Sequence, residues 1–219
     1  MRNERILIAV TVLAIGLAAC GGSGRGGGAA ATPTVRASSP TRPPSAAGSG
    51  QTPIPTESPV APETNPPGDI PDNTAFVPYR STNGGFTVSV PEGWARTTSK
   101  ASVTFTDKLN TVVVSWQPAA AAPTVASAKA GEVPQLLQST RAFTLVSVTS
   151  GSLPADPFVL VRYRANSDPN PVTGKQYRLD VLRYELFKNG EERVITLLSP
   201  VGADNVDPWN AVTQSFKWS

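Results

Sequence analysis

"GGFTVSVPEGW", residues 84–94, decides the fold class. Phe86, Val88 and Val90 alternate with Thr87 and Ser89, the period of a strand with one buried and one wet face. Pro91 cannot donate to a strand ladder and Gly93 suits a turn, so the strand stops there and Trp94 is read as a plug for the core. The same alternation returns at 101–106, 110–117, 143–149, 158–165, 176–187 and 193–199. Asn189-Gly190, set between Lys188 and Glu191, is a two-residue hairpin signal. That turn places Leu182 opposite Leu197 and Tyr184 opposite Ile195 on one face. On the other face Val181 meets Leu198 and Glu185 meets Val194. Both faces are mainly apolar, so both need cover.

Two helical stretches supply it. Thr124 suits an N-cap for 125–139, which Pro134 interrupts, and Leu136 and Leu137 are expected to face the sheet. At the far end Asp207 is read as a cap, Pro208 as the first helical residue, and Trp209, Val212 and Phe216 recur at helical spacing. The element order is β-β-β-α-β-β-β-β-α with mostly antiparallel neighbours. That is an α+β fold, a mostly antiparallel central sheet flanked by helices.

Outside this domain the composition changes. The four Trp, four Tyr and seven Phe of the 219-residue chain all lie between Phe76 and Trp218. Residues 21–75 hold half of the 22 prolines and show no period of 2 or 3.6. Such a stretch cannot bury enough apolar area to offset its ordering entropy, so 20–75 is expected to be a disordered spacer. The globular domain is placed at 76–219.

At the start, Arg2 and Arg5 precede an apolar run from Ile6 to Ala19, shorter than the roughly 20 residues that span a bilayer. This reads as an export signal, residues 1–19. The junction Leu17-Ala18-Ala19-Cys20 resembles the lipobox of bacterial lipoproteins. That resemblance implies cleavage before Cys20, the chain's single cysteine, and attachment of diacylglycerol and palmitate-like acyl chains to it. The implied location is the extracytoplasmic face of the cell membrane. Two acyl chains hold where one binds only reversibly. Cleavage after Ala18 with simple secretion is the alternative.

The domain itself carries a second resemblance. Phe86 to Trp94, a strand ending in Pro-x-Gly-Trp, resembles the opening of PsbP-like domains, and Asp207-Pro208-Trp209 with Ser215-Phe216 looks like that family's last helix. The leader and proline-rich spacer are similar to those of LpqN-type bacterial lipoproteins. The resemblance implies an α/β/α sandwich that works by docking, without catalysis. Metal binding in the photosynthetic branch draws on histidine, which this chain lacks entirely.

Chemistry is sparse. The absence of histidine removes the commonest general base, and no G-x-S-x-G elbow, Ser-x-x-Lys arrangement or phosphate-cradling G-x-x-x-x-G-K occurs. Asp180 and Glu185 share a strand but alternate onto opposite faces. "SDPNPVTG", residues 167–174, lacks the glycine and terminal Glu of a calcium loop and reads as a hairpin loop. No cofactor is expected. From Phe76 onward fourteen Lys/Arg interleave with eleven Asp/Glu, with no basic stripe for nucleic acid.

One surface remains. In "PFVLVRYRA" the face carrying Phe158 and Leu160 continues with Arg162 and Arg164, and Tyr177 and Arg178 open the next strand beside them. A basic rim with aromatics suits an acidic protein or envelope partner. The expected function is therefore a lipid-anchored, extracytoplasmic accessory or binding protein, not an enzyme. A small-ligand carrier and a carboxylate-dependent cell-wall hydrolase are the alternatives.

Overall fold

The computed structural model describes residues 56–219. The leader, Cys20 and the spacer through residue 55 lie outside the described residues. The first half of the domain holds β1 (Phe76–Ser81), β2 (Phe86–Pro91), β3 (Ala95–Thr98), β4 (Ser102–Asp107) and β5 (Asn110–Pro118). A broken helical stretch follows: α1 (Val125–Ser127), a π-helical turn (Ala128–Glu132) and α2 (Val133–Ser139). Then come β6 (Thr144–Ser152), β7 (Pro157–Asn166), β8 (Arg178–Lys188) and β9 (Glu191–Pro200). The chain ends with α3 (Val206–Ser215) and β10 (Lys217–Trp218).

A seven-stranded sheet in the order β3-β4-β5-β9-β8-β7-β6 forms the centre, antiparallel at every step. The hairpin at Asn189-Gly190 has both residues at positive φ, 52° and 80°. It sets the expected register, Leu182 on Leu197, Tyr184 on Ile195, Val181 on Leu198 and Glu185 on Val194.

The two faces are covered differently. On the first, Val103, Phe105, Val112, Val114, Ile195 and Leu197 are sealed by Phe86, Val88 and Val90 of β2 and by Trp209, Val212 and Phe216 from α3 and its end. Phe86 is fully buried and stacks on Phe216 at 5.7 Å. The cover on this face is thus only partly helical. A small sheet, β1-β2-β10, shares it with α3, which corrects the expectation of helices alone. Trp94 is partly buried and meets Trp209 edge-on at 6.4 Å.

On the second face Val159, Val161, Tyr163, Leu179 and Val181 pack with Ala128, Val125, Val133 and Leu136 of the broken helix. Thr124 caps it as expected: its hydroxyl accepts from the Ser127 amide at 3.0 Å, while Ser127 Oγ accepts from the Thr124 amide at 2.8 Å. Pro134 does not end the helix: it follows the π-helical turn directly, with Glu132 and Val133 both in right-handed helical conformation. Leu137 is 52% exposed and does not face the sheet.

Two further departures share one cause. Asn205, not Asp207, stands at the N-cap of α3, and Pro208 falls in the first turn behind Val206. The Asn205 side chain makes no cap bond, because it is committed elsewhere. Its carbonyl accepts from the Ile70 amide at 2.8 Å, and its Nδ2 donates to the Gly68 carbonyl at 2.9 Å and to Asn110. Those bonds hold Gly68 and Ile70, part of the stretch 56–75 that composition had given to the spacer. Ile70 is buried, Glu63 pairs with Lys175, and Glu57 accepts from Arg141, Asn166 and Gln176 at 2.6–2.8 Å. Burial pushes the Glu57 carboxyl up, but these three donors outweigh it and hold the group below its ordinary value.

Candidate functional site

Where cover ends, a shelf of sheet begins. The even-numbered residues of β7 share the first face, and β8 and β6 bring partners beside each: Leu160 lies between Tyr184 and Thr149, Arg162 between Leu182 and Ser147, Arg164 between Asp180 and Thr144. β2 does not reach this far, and α3 meets the shelf only beside Arg162 and Leu182, through Val206 and Trp209. Leu160, Leu182 and Tyr184 are only half-buried, and Arg162 and Arg164 are exposed.

The shelf is backed at both ends. Phe158 meets Tyr184 edge-on at 5.0 Å and ties it to the first core. Ser199, Ala203, Val206 and Trp209 form a wall with Arg162, Asp180 and Leu182 around a cleft of about 100 Å³. Val206 leaves 66% of its surface in water beside this cleft.

Its electrostatics divide the two arginines. Arg164 donates from Nε to Asp180 at 2.9 Å, so its charge is partly spent. Arg162 has no ion pair among the described residues. Burial lifts the Tyr184 phenol above its ordinary value, and the nearby Arg162 charge pulls the other way.

Of the expected rim, the structure keeps two residues together and separates two. Arg178 is 6% exposed and corrects the reading of it as a contact residue. Its guanidinium donates to the Ala142 carbonyl at 2.8 Å, to Asn166 and to Thr144, and so closes the start of β6 against β7. Burial lowers its pKa, Arg164 adds repulsion, and Asp180 offsets part of it. Tyr177 lies on the opposite side, against the second core, with Lys175 Nζ 4.6 Å from its ring centre. Cys20 lies outside the described residues. Tyr184 and Leu182 belong to the shelf and were missed as site residues. Their face was legible, but their place beside Leu160 and Arg162 depends on the β7–β8 register, which residues 167–177 set.

Larger depressions occur elsewhere. One of about 570 Å³ lies along Pro66–Pro71 and Trp94, where Asn110 is bonded to Gly68 and Asn205 and Asp69 to the Asp204 amide, with Glu92, Asp107 and Lys108 also in its lining. An apolar groove of about 460 Å³ runs between Pro123–Val125 and Phe158, Val159 and Phe187. Glu185 sits on the second face, 3% exposed, with one oxygen unpartnered. Burial first, then the charge of Glu132, raises its pKa to about 7. Asp180 and Glu185 are therefore divided by the sheet, one ion-paired and one buried.

No family model matches the chain, and no curated protein matches it. Among solved structures it is similar to cyanobacterial PsbP (CyanoP) from Synechocystis, at 16% identity over 70% of this chain and 99% of that one, TM-score 0.48. It is similar to the Ran-binding protein Mog1p of Saccharomyces cerevisiae, at 10% identity over 67% and 96%, TM-score 0.44. LpqN of Mycobacterium tuberculosis, involved in cell envelope biogenesis, is similar at 14% identity over 67% and 91%, TM-score 0.40.

Proposed function

We propose that this chain is a lipid-anchored, non-enzymatic accessory protein, acylated at Cys20 on the extracytoplasmic face of the cell membrane. Its folded domain docks a protein partner that presents acidic groups to the shelf of Leu160, Arg162, Leu182 and Tyr184. One observation carries this reading: Arg162 stands exposed beside half-buried apolar and aromatic side chains and has no ion pair among the described residues. Arginine and aromatics on apolar ground are the residues that interface centres favour. A carboxylate brought to Arg162 gains a charge-assisted bond while the partner covers Leu160 and Tyr184. For the anchor, the support is the leader: two arginines, an apolar run and Leu17-Ala18-Ala19-Cys20.

Crosslinking in the native cell tests the docking. Arg162→Glu should cut partner capture at least about tenfold, as expected when one buried charge pair is reversed. Unchanged capture, or adducts made only of anionic glycan, contradicts a protein partner at this surface. The anchor is tested separately by the mass of the natural product, which should exceed the bare polypeptide by its acyl groups.

The apolar groove beside Phe158 and Phe187 supports a second reading, a small-ligand carrier. Native mass spectrometry should then find an apolar molecule bound, and Ala122→Trp, at the groove's exposed rim, should expel it.

A further inference from the structure

We propose that β6 pairs with β6 of a second copy, joining two central sheets edge to edge about a two-fold axis. Among the described residues β6 is hydrogen-bonded to β7 alone, so its outer edge presents free backbone groups there. Exposed edges are normally guarded by charge, by proline, by brevity or by a bulge. The other edges of the described sheets carry such guards. β3 is four residues long and holds Arg96, β1 holds Pro78, and β10 has two residues. β6 runs nine residues, TLVSVTSGS, without one charge or proline.

Its single guard is a bulge between Leu145 and Ser147, which leaves Ser147–Ser152 regular against β7. That stretch is Ser-Val-Thr-Ser-Gly-Ser, small and neutral. Paired with itself about an axis at Thr149, it sets Thr149 against Thr149, Val148 against Ser150 and Ser147 against Gly151, and opposes no like charges. An antiparallel pair has a two-fold axis, so one strand meets an identical one without any second surface having to evolve. Leu145 and Val146, 40% and 50% exposed, flank the regular stretch where a partner's strand end would cover them.

Six paired residues extend about 20 Å. The buried area therefore falls below the roughly 1,200 Å² of a stable complex, and the dimer is weak in dilute solution. Confinement to a membrane raises the effective concentration of each copy; that part rests on the proposed anchor. The axis stands perpendicular to the sheet, so both shelves face the same way. The two β7 strands then lie three strand spacings apart, about 14 Å, and present two Arg162 side chains to one partner surface.

Sedimentation equilibrium of the full chain in nonionic detergent, from about 10 µM to about 1 mM, tests the pairing. The expected result is a concentration-dependent dimer that Thr149→Lys weakens at least about tenfold and Thr97→Lys, on β3, leaves unchanged. Amide exchange provides a second readout on the unaltered chain: protection along Ser147–Ser152 should rise with concentration. A chain monomeric throughout, a dimer indifferent to Thr149→Lys, or one abolished by Thr97→Lys overturns the proposal. Loss of partner capture in Arg162→Glu with the dimer intact separates the two surfaces.

Discussion

The first face of the central sheet has a closed half and an open half, and β8 passes through both. Leu186 on that strand is sealed completely, whereas Tyr184 and Leu182, two and four residues earlier on the same side, keep contact with water. Closure comes from β2 and α3, which bring Phe86, Val88, Val212 and Phe216 down onto β4, β5 and β9. Among the described residues nothing seals Leu160, and α3 meets Arg162 only at a rim formed by Val206 and Trp209. Residue type follows the cover: aliphatic and aromatic side chains beneath it, then an exposed arginine pair among apolar neighbours where it stops. The closed half holds the fold together, and among the described residues nothing seals the open half.

The sharpest way to break this contrast is to cut the same kind of mass from each half. Phe86→Ala should lose about 3–5 kcal/mol in equilibrium denaturation, because it opens a cavity against Phe216 and Trp116. Arg162→Ala should stay within about 0.5 kcal/mol. Similar losses at both sites mean that the shelf is structural.

Next in size is Glu185, the buried acid on the opposite face. Glu132, Arg183 and Glu192 are the charged groups around it. Burial favours its neutral form, so the fold holds a proton that the unfolded chain releases above about pH 4.5. Its contribution is full below that pH, declines toward about 7 and is absent above. Glu185→Gln should therefore stabilise the protein by about 1–3 kcal/mol near pH 8 and flatten the pH dependence between those limits. An unchanged pH profile means that the carboxyl is already paired.

Glu57→Ala should cost about 1–2 kcal/mol, since Arg141, Asn166 and Gln176 lose a shared acceptor. Faster proteolysis within 56–75 would accompany it. Asp180→Asn should shift stability by less than about 1 kcal/mol, because the Arg164 pair is surface-exposed. It should strengthen partner capture, since it frees a second positive charge on the shelf. Weaker capture means that Asp180 itself makes the contact.

Much of this architecture is legible in residues alone. Alternation finds most of the large sheet's strands, and Asn189-Gly190 fixes the β8–β9 register residue for residue. Thr124 announces its capping box through Ser127. What escapes is held by distant partners. β1 and β3 have weak alternation and exist as edges of strands already formed. Residues 56–75 have the composition of a spacer, and it is Asn166, Asn205 and Gln176, more than 100 positions away, that order them. Arg178 reads as a surface cation because nothing local announces the carbonyl and hydroxyl that it caps. The arginine rim of the shelf was visible as a strand face, whereas its aromatic floor required the β7–β8 register.

The most direct measurement of the central contrast is photocrosslinking in the native cell, with the photoreactive residue placed once at position 160 and once at position 137. Both positions reach solvent, but only the first is on the shelf. A protein adduct from position 160 that Arg162→Glu abolishes, with none from position 137, is the predicted result. Equal adducts from both positions, or an adduct from 137 alone, contradicts the account.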